Sequence, residues 1–330
     1  MSNELELSET RRALLEKYLR KDRLQIAMAA GISPHIKAEA AERREHAVAV
    51  QTGGAKRPFF FLHGHWKGNA FYCFPLARAL GSDQSFYALE PYRFDGLQVP
   101  PPLETIAAAH LESLRAIQPE GPYLLGGFCN GALVAYEMAR QLHAAEQTID
   151  LLLLMDPMAF SSTYPIHYRA LRAIISRFGR LMRLGPDKQL DWYVLLRHVV
   201  RQGYSCLRDL PRLKDSKHLG AGEQIEPELR RDLFALPQRD ALVLTQESFY
   251  QDFPSIFEWV ALGYTPPSVY PGKVTFFWPS EELWHSRWWS KVAEATEVEV
   301  HVIPGTQVTW KTEYLHPLAE CLRTCLSRCQ

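Results

Sequence analysis

Cys129 stands between two glycines in the stretch Gly127-Phe128-Cys129-Asn130-Gly131, after the apolar run YLLGG and before NGALVAYEMARQL. The G-x-C-x-G spacing is that of a nucleophile elbow with cysteine in the place of serine, the reactive side chain riding a sharp strand-to-helix turn. Glycines at the flanking positions let backbone segments pass closely, and the turn holds the nucleophile in a strained conformation. The helix that follows turns its positive end toward the sulfur, which favours a thiolate, and the Asn130 amide can face a developing oxyanion. Acyl transfer through a covalent intermediate is the chemistry such a thiol serves. The plainer reading is a buried structural cysteine at a glycine-rich turn.

A nucleophile at such a turn needs a sheet to carry it, and the flanking sequence alternates accordingly. HAVAVQTGGAKRPFFFLHG reads as strand, glycine turn and strand, with Phe59–Leu62 as the apolar burst of a strand buried on both faces. NAFYCFPLARAL follows as helix, then SFYALEPY as strand, LETIAAAHLESLRAIQ as helix, YLLGG as strand, NGALVAYEMARQLHAA as helix and IDLLLLMDP as strand. Strands alternating with helices of this length imply a mostly parallel sheet covered on both sides, an α/β fold. From about residue 160 to 265 the alternation breaks, and helical runs such as HYRALRAIISRFGRLMRL, DWYVLLRHVVRQGYSCL and EPELRRDLFALPQ predict a largely helical insertion. KVTFFWP and EVEVHVIPG restore the strand pattern before a last helix through LHPLAECLRTCLSR. Residues 1–46 read as a separate helical linker segment, with a charged amphipathic helix over 5–24, and residues 47–330 as the main domain.

With 330 residues, 47% of them hydrophobic, the chain can bury a large core as one domain with an insertion. Lys plus Arg equals Asp plus Glu at 37 each, so no global charge points to nucleic acid or an anionic membrane. Any electrostatic recognition must be local. Residues 161–220 hold 12 basic and 4 acidic side chains, whereas 221–260 hold 3 and 8, which sets a basic stretch beside an acidic one. The N-terminal stretch has no apolar signal core and no run of about 18 apolar residues occurs, so the expectation is a cytoplasmic protein without a membrane span. The cysteines at 73, 129, 206, 321, 325 and 329 lack C-x-x-C spacing, so free thiols are expected. Cys321, Cys325 and Cys329 recur every four residues along the last helix, a core-packing spacing with no other ligand type evident for a metal.

The stretch GGFCNGALVAYEMARQL resembles the elbow of the α/β-hydrolase thioesterase domains that end nonribosomal peptide and polyketide assembly lines. RPFFFLHGHWKGNAFYCFPLARAL, LLLLMDP, YPGKVTFFWPSEE and VHVIPG fall in that family's order, from about residue 47 to the C-terminus. The resemblance implies an α/β-hydrolase fold with a helical lid. It also implies a thioesterase or acyltransferase that accepts an acyl or peptidyl chain from a carrier-protein thioester onto Cys129. Release would follow by hydrolysis, cyclisation or transfer to an amine or hydroxyl acceptor. Asp156 in LLLLMDP, 27 residues after Cys129, takes the place of the family's acid. At a strand's carboxyl end it sits where catalytic groups gather in parallel sheets, and a turn role before Pro157 is the alternative. The amide of His65 in HGHW, or less readily that of Trp66, would join that of Asn130 in the oxyanion hole, with His63 a structural loop residue. The implied partner is an acyl carrier protein presenting its phosphopantetheine arm, with the basic 161–220 stretch a docking face or simply a solvated one. No metal or organic cofactor is called for.

One departure matters. The family's histidine belongs in a PG-x-H loop after the last strand, and here VIPGTQVTW puts Gln307 in its place. Glutamine hydrogen-bonds but accepts no proton near neutral pH, so it cannot be a general base. Three readings stay open: capture by Cys129 alone with slow deacylation, a laboratory variant of a histidine parent made to trap the acyl-enzyme, or a base rerouted to another residue, His316 being the nearest in sequence. A cysteine nucleophile exchanges one thioester for another, which keeps the acyl group activated toward amines and constrained hydroxyls. A non-catalytic acyl-carrier-binding module and a plain carboxylesterase are the competing functions.

Overall fold

Four consecutive residues, Phe59 to Leu62, are buried, and side chains along a strand point alternately to opposite faces. Phe60 and Leu62 pack into one hydrophobic cluster, Phe59 and Phe61 into another. A strand that must fill a core on both sides cannot alternate apolar with polar residues, which is why the sequence shows a continuous burst there. Leu124 and Leu125 divide between the same two clusters, as do Leu152 and Leu153.

The computed structural model describes residues 47–65, 71–92, 94, 97, 99–198 and 253–330. The N-terminal segment 1–46, Trp66, and the insertion from 199 to 252 lie outside the described residues. Seven strands form one sheet: β1 (Ala47–Gln51), β2 (Lys56–Leu62), β3 (Gln84–Leu89), β4 (Tyr123–Phe128), β5 (Ile149–Met155), β6 (Val274–Pro279) and β7 (Val298–Ile303), in the order β1-β3-β2-β4-β5-β6-β7. Only β1 runs antiparallel, against β3; every other pairing is parallel. The helices are α1 (Cys73–Leu80), α2 (Leu103–Arg115), α3 (Asn130–Ala144), α4 (Ile166–Leu181), α5 (Phe253–Gly263), α6 (Ser290–Ala295) and α7 (Leu315–Ser327), with a further helical run over 186–198. Residues of α1 and α7 pack in the cluster on one face of the sheet, those of α2, α3 and α5 in the cluster on the other.

β4 and β5 are central, and β2 flanks β4. Loops leaving the carboxyl ends of neighbouring parallel strands converge, so the chain after β2, β4, β5, β6 and β7 meets at one end of the sheet. That convergence builds the site.

Within the insertion, the segment leading into α4 and the 186–198 run are tied to α5 through Glu258. Its carboxylate accepts from Arg197 Nε at 2.7 Å, from the Tyr164 hydroxyl at 3.1 Å and from the Tyr193 hydroxyl. Tyr164 and Tyr193 are buried in this network, which makes them core residues. Arg172 on α4 stacks 4.6 Å over the Trp259 ring and donates to the Leu262 carbonyl. A buried carboxylate with this many donors fixes the seat of the insertion. No helix among the described residues is long and apolar enough to cross a membrane.

Candidate active site

β4 ends at Phe128 and α3 begins at Asn130, so Cys129 alone makes the turn, with φ 54° and ψ −117°. A non-glycine residue held there stores on the order of 1–3 kcal/mol, which the surroundings must offset. They do so with backbone bonds: the Cys129 amide donates to the Met155 carbonyl at 2.9 Å, and the Met158 amide donates to the Cys129 carbonyl at 3.1 Å. The elbow is thereby stitched to the loop after β5. Both glycines are needed for close approach. A Cβ on Gly127 would lie 2.6 Å from the Cα of Ala132, and one on Gly131 would strike the Leu62 carbonyl of β2.

The loop after β7 reaches Cys129 from the other side. The Gln307 side chain hydrogen-bonds the Cys129 sulfur, as does the Asn130 amide at the start of α3. The Gln307 backbone amide is itself fixed, donating to Glu282 at 2.8 Å. Lys311 follows in the same loop, with its ammonium 4.8 Å from the Phe128 ring centroid and 5.4 Å from that of Tyr72. Cys129 is half-buried.

These surroundings do not ionise the thiol at rest, against the expectation from a helix N-terminus. Burial and, next, the charge of Asp156 push Cys129 up to about 11. Hydrogen bonds from Gln307 and Asn130 and the charge of Lys311 oppose that rise without cancelling it. Desolvation of a thiolate outweighs a helix end.

Asp156 lies just beyond β5, with φ 41°, and is 3% exposed. Its amide donates to the Phe277 carbonyl of β6 at 2.9 Å. Burial raises its carboxyl above the ordinary range, and a hydrogen bond from His285 pulls partly back. Nδ1 of His285 stands 2.8 Å from Oδ1 of Asp156. His285 belongs to the 3-10 segment Ser280–Trp289 that follows β6, and its ring stacks on Trp288 with centroids 4.7 Å apart. Sequence reasoning passed over this residue. A histidine in SEELWHSRWW, just after the strand beside β5, was the available signal. His316 lies elsewhere: its side chain is 80% exposed, 3.8 Å from Glu320 on the same helix.

In the loop after β2, the His65 amide already has a partner, His63 Nδ1 at 3.1 Å. His63 is fully buried and faces Glu90 at 3.5 Å, so the loop is braced by that ring. Asn130 has the opposite character, with its side-chain Oδ1 buried and without a hydrogen-bond partner. Beside it lies a cleft whose lining includes Gly64, Asn130, Gly131, Tyr92, Phe94 and Phe253. Asp156, Glu282 and His285 offer ligand atoms within 4.8 Å of one another, although Asp156 and Glu282 already serve His285 and the Gln307 amide.

A family model for the thioesterase domain matches residues 59–325. The chain belongs to the thioesterase domain family. Among similar proteins, the dimodular nonribosomal peptide synthase of Bacillus subtilis (strain 168) is 28% identical over 231 residues, 69% of this chain and 8% of that protein. Indigoidine synthase of Streptomyces lavendulae is 41% identical over 85 residues, 25% of this chain and 6% of that protein. The chain thus spans less than a tenth of the length of either relative. Among solved structures, the NocB thioesterase domain from the nocardicin cluster superposes with a TM-score of 0.51 at 20% identity, covering 86% of this chain and 99% of that one. The shared architecture is the α/β-hydrolase fold. Within this thioesterase domain the acid after β5 holds a histidine from the β6 loop, and a glutamine from the β7 loop holds the sulfur.

Proposed function

We propose that this thioesterase domain accepts an acyl or peptidyl chain from a carrier-protein thioester onto Cys129 and passes it on to water or to an amine or hydroxyl acceptor, in natural-product assembly. The observation that carries the proposal is the strained, half-buried Cys129, fixed at the N-terminus of α3 with hydrogen-bond donors from Asn130 and Gln307 on its sulfur. In the first half-reaction the sulfur attacks the thioester carbonyl and a new carbon–sulfur bond forms. The bond to the pantetheine sulfur breaks, and the proton lost by Cys129 ends on the departing thiol. One thioester replaces another, so the acyl group stays activated. In the second half-reaction the acceptor oxygen or nitrogen attacks, Cys129 leaves, and the acceptor's proton returns to sulfur.

Gln307 supports capture better than release, because it can position sulfur and carbonyl but takes no proton. His285, oriented by Asp156 through Nδ1, is the described histidine paired with the acid, and we assign it to acceptor deprotonation. The Asn130 amide serves the oxyanion, with the His65 amide joining once substrate displaces its bond to His63. The cleft of Tyr92, Phe94 and Phe253 lies beside Asn130 and, at about 30 Å³, must widen before an acyl chain can enter. Carrier docking falls on α4, where Arg169, Arg177 and Arg180 are exposed among the exposed apolar side chains Ile174, Phe178 and Leu181.

Intact mass measurement after mixing with acyl-loaded carrier protein tests the proposal. An acyl mass gain mapped to Cys129 is expected. Absence of any adduct, with the carrier still loaded, would reduce the domain to a binding module.

A further inference from the structure

Lys311 occupies an unusual place for an ammonium group. It ends the short 3-10 turn Thr309–Lys311, four residues beyond Gln307, and is only half exposed. Its ammonium lies over the rings of Phe128 and Tyr72, which are themselves in contact at 6.1 Å between centroids. Phe128 is the residue immediately before the nucleophile. The Tyr72 hydroxyl is tied down by the bond it donates to the His63 carbonyl at 2.6 Å. The two aromatic faces therefore hold the ammonium beside the elbow. No described carboxylate forms an ion pair with it.

Burial draws the Lys311 ammonium below the usual lysine range, two thiols, Cys129 and Cys73, act against that, and Lys311 in turn helps to hold the His65 imidazole down. Cys73 is completely buried on α1, with its thiol pushed far up, so it stays neutral. Cys129 is the one of the pair with accessible surface. Around them stand Tyr72, the imidazoles of His63 and His65, the carboxylate of Glu90, and Asp156 with its partner His285. The carboxylates among these have partners of their own. A cation held near a sulfur without a carboxylate to neutralise it has most to gain when that sulfur becomes negative.

We propose that Lys311 is the positioning cation of the nucleophile, stabilising the Cys129 thiolate during acyl capture and so supplying the positive charge that an imidazolium at position 307 would have given. The proposal rests on the reading that Cys129 is the acyl acceptor. Lys311 takes no part in bond making; it shifts the thiol–thiolate balance, and the departing pantetheine sulfur feels the same charge.

The test is the rate of Cys129 alkylation by iodoacetamide, followed by peptide mass between about pH 7 and pH 10, in the parent, Lys311→Met and Lys311→Arg. An opposite charge at close range shifts a titration by about one pH unit or more. Lys311→Met is therefore expected to slow alkylation at a fixed pH about tenfold, and Lys311→Arg to restore most of it. An unchanged rate in a folded Lys311→Met protein would overturn the proposal. Should that variant fail to fold, the reciprocal measurement remains: Cys129→Ala must lower the pH at which Lys311 becomes reactive to an amine-directed label, and no change there would be equally decisive. Alkylation needs no carrier protein. A Lys311 effect on alkylation combined with no acyl loading would sink the acyl-transfer reading while leaving the ion pair standing.

Discussion

Two cysteines at opposite ends of one sheet differ in both geometry and ionisation. Cys129 stands at the carboxyl end of β4, whereas Cys325, on α7, faces the amino ends of β5, β6 and β7 in a pocket shared with Asp150, Lys273, Glu299 and Arg328. By ionisation alone Cys325 is favoured. A hydrogen bond from Cys321 and the charges of His301 and Arg328 draw it below the usual thiol range, while burial pushes Cys129 up to about 11. Cys325 nevertheless has no strained turn and no amide at a helix start beside its sulfur, and it is 3% exposed. β7 also supplies it with neighbours that the cysteine spacing did not reveal: Glu299, His301 and Cys325 bring ligand atoms within 4.8 Å of one another. Arg328 and Lys273 already neutralise Glu299 at 2.7 and 3.0 Å, filling a cation's role. On the proposed reading, the elbow would select its nucleophile through geometry and leave ionisation to be made up during reaction.

The sharpest way to break this comparison is to delete each sulfur in turn. Cys129→Ala should abolish the acyl adduct, a loss of about a thousandfold or more in loading rate, as expected when a covalent nucleophile is removed. An adduct of equal amount in that variant would move the chemistry to another thiol, with Cys325 first in line. The next largest effect sharpens the elbow half. Gln307→His places a proton acceptor where the glutamine side chain now touches sulfur, and general-base catalysis is worth about a hundredfold or more. Release of a preformed acyl-enzyme should accelerate by that order, measured as decay of the adduct mass. His285→Ala should act in the opposite sense and by a comparable order, slowing release about a hundredfold with loading unchanged. Equal loss in loading and release would show that His285 serves the sulfur itself.

Most of the fold was legible because its signals are local. The run Phe59–Leu62 announces burial on both faces, and the alternation from β2 to β5 follows element by element, with ends that differ by up to four residues. Cys129 and Asp156 could be singled out because each sits at the end of a recognisable strand. His285 could not, because its meaning depends on β6 pairing with β5, which brings it to Asp156 across 129 residues that include the whole insertion. Lys311 escaped for a similar reason: nothing in TQVTWK says that its ammonium returns over Phe128 and Tyr72. Glu258, a lone acid in an apolar helix, takes the hydroxyls of Tyr164 and Tyr193, a pairing that no local pattern in the sequence announces.

A smaller effect separates the acid from a mere turn residue. Burial raises Asp156, so the stability it allows is full below the unfolded carboxyl value of about 3.9 and is lost as pH climbs through the raised folded value. Asn at this position carries no charge to bury. The melting temperature of Asp156→Asn relative to the parent should therefore be higher at about pH 7 than at about pH 4, even as release of the acyl chain slows. A difference independent of pH would mean that the His285 contact fully compensates the buried charge.

The smallest change is expected at the other end of the sheet, and it is the one that tests whether ionisation matters independently of place. Cys325→Ser keeps the side chain's size and removes the sulfur that Cys321, His301 and Arg328 surround. The serine hydroxyl can accept from Arg328, so the swap should cost about 1 kcal/mol of stability and no more. The pocket and Cys129 lie at opposite ends of strands fixed by parallel pairing throughout, and both adjoin the same hydrophobic cluster, which the serine swap leaves filled. Acyl loading should stay within about twofold of the parent, the range left by a distant site that does not couple. A large loss of loading with an unchanged melting temperature would show that the thiolate-prone cysteine takes part in acyl transfer after all, and the geometric criterion drawn from the elbow would fail with it.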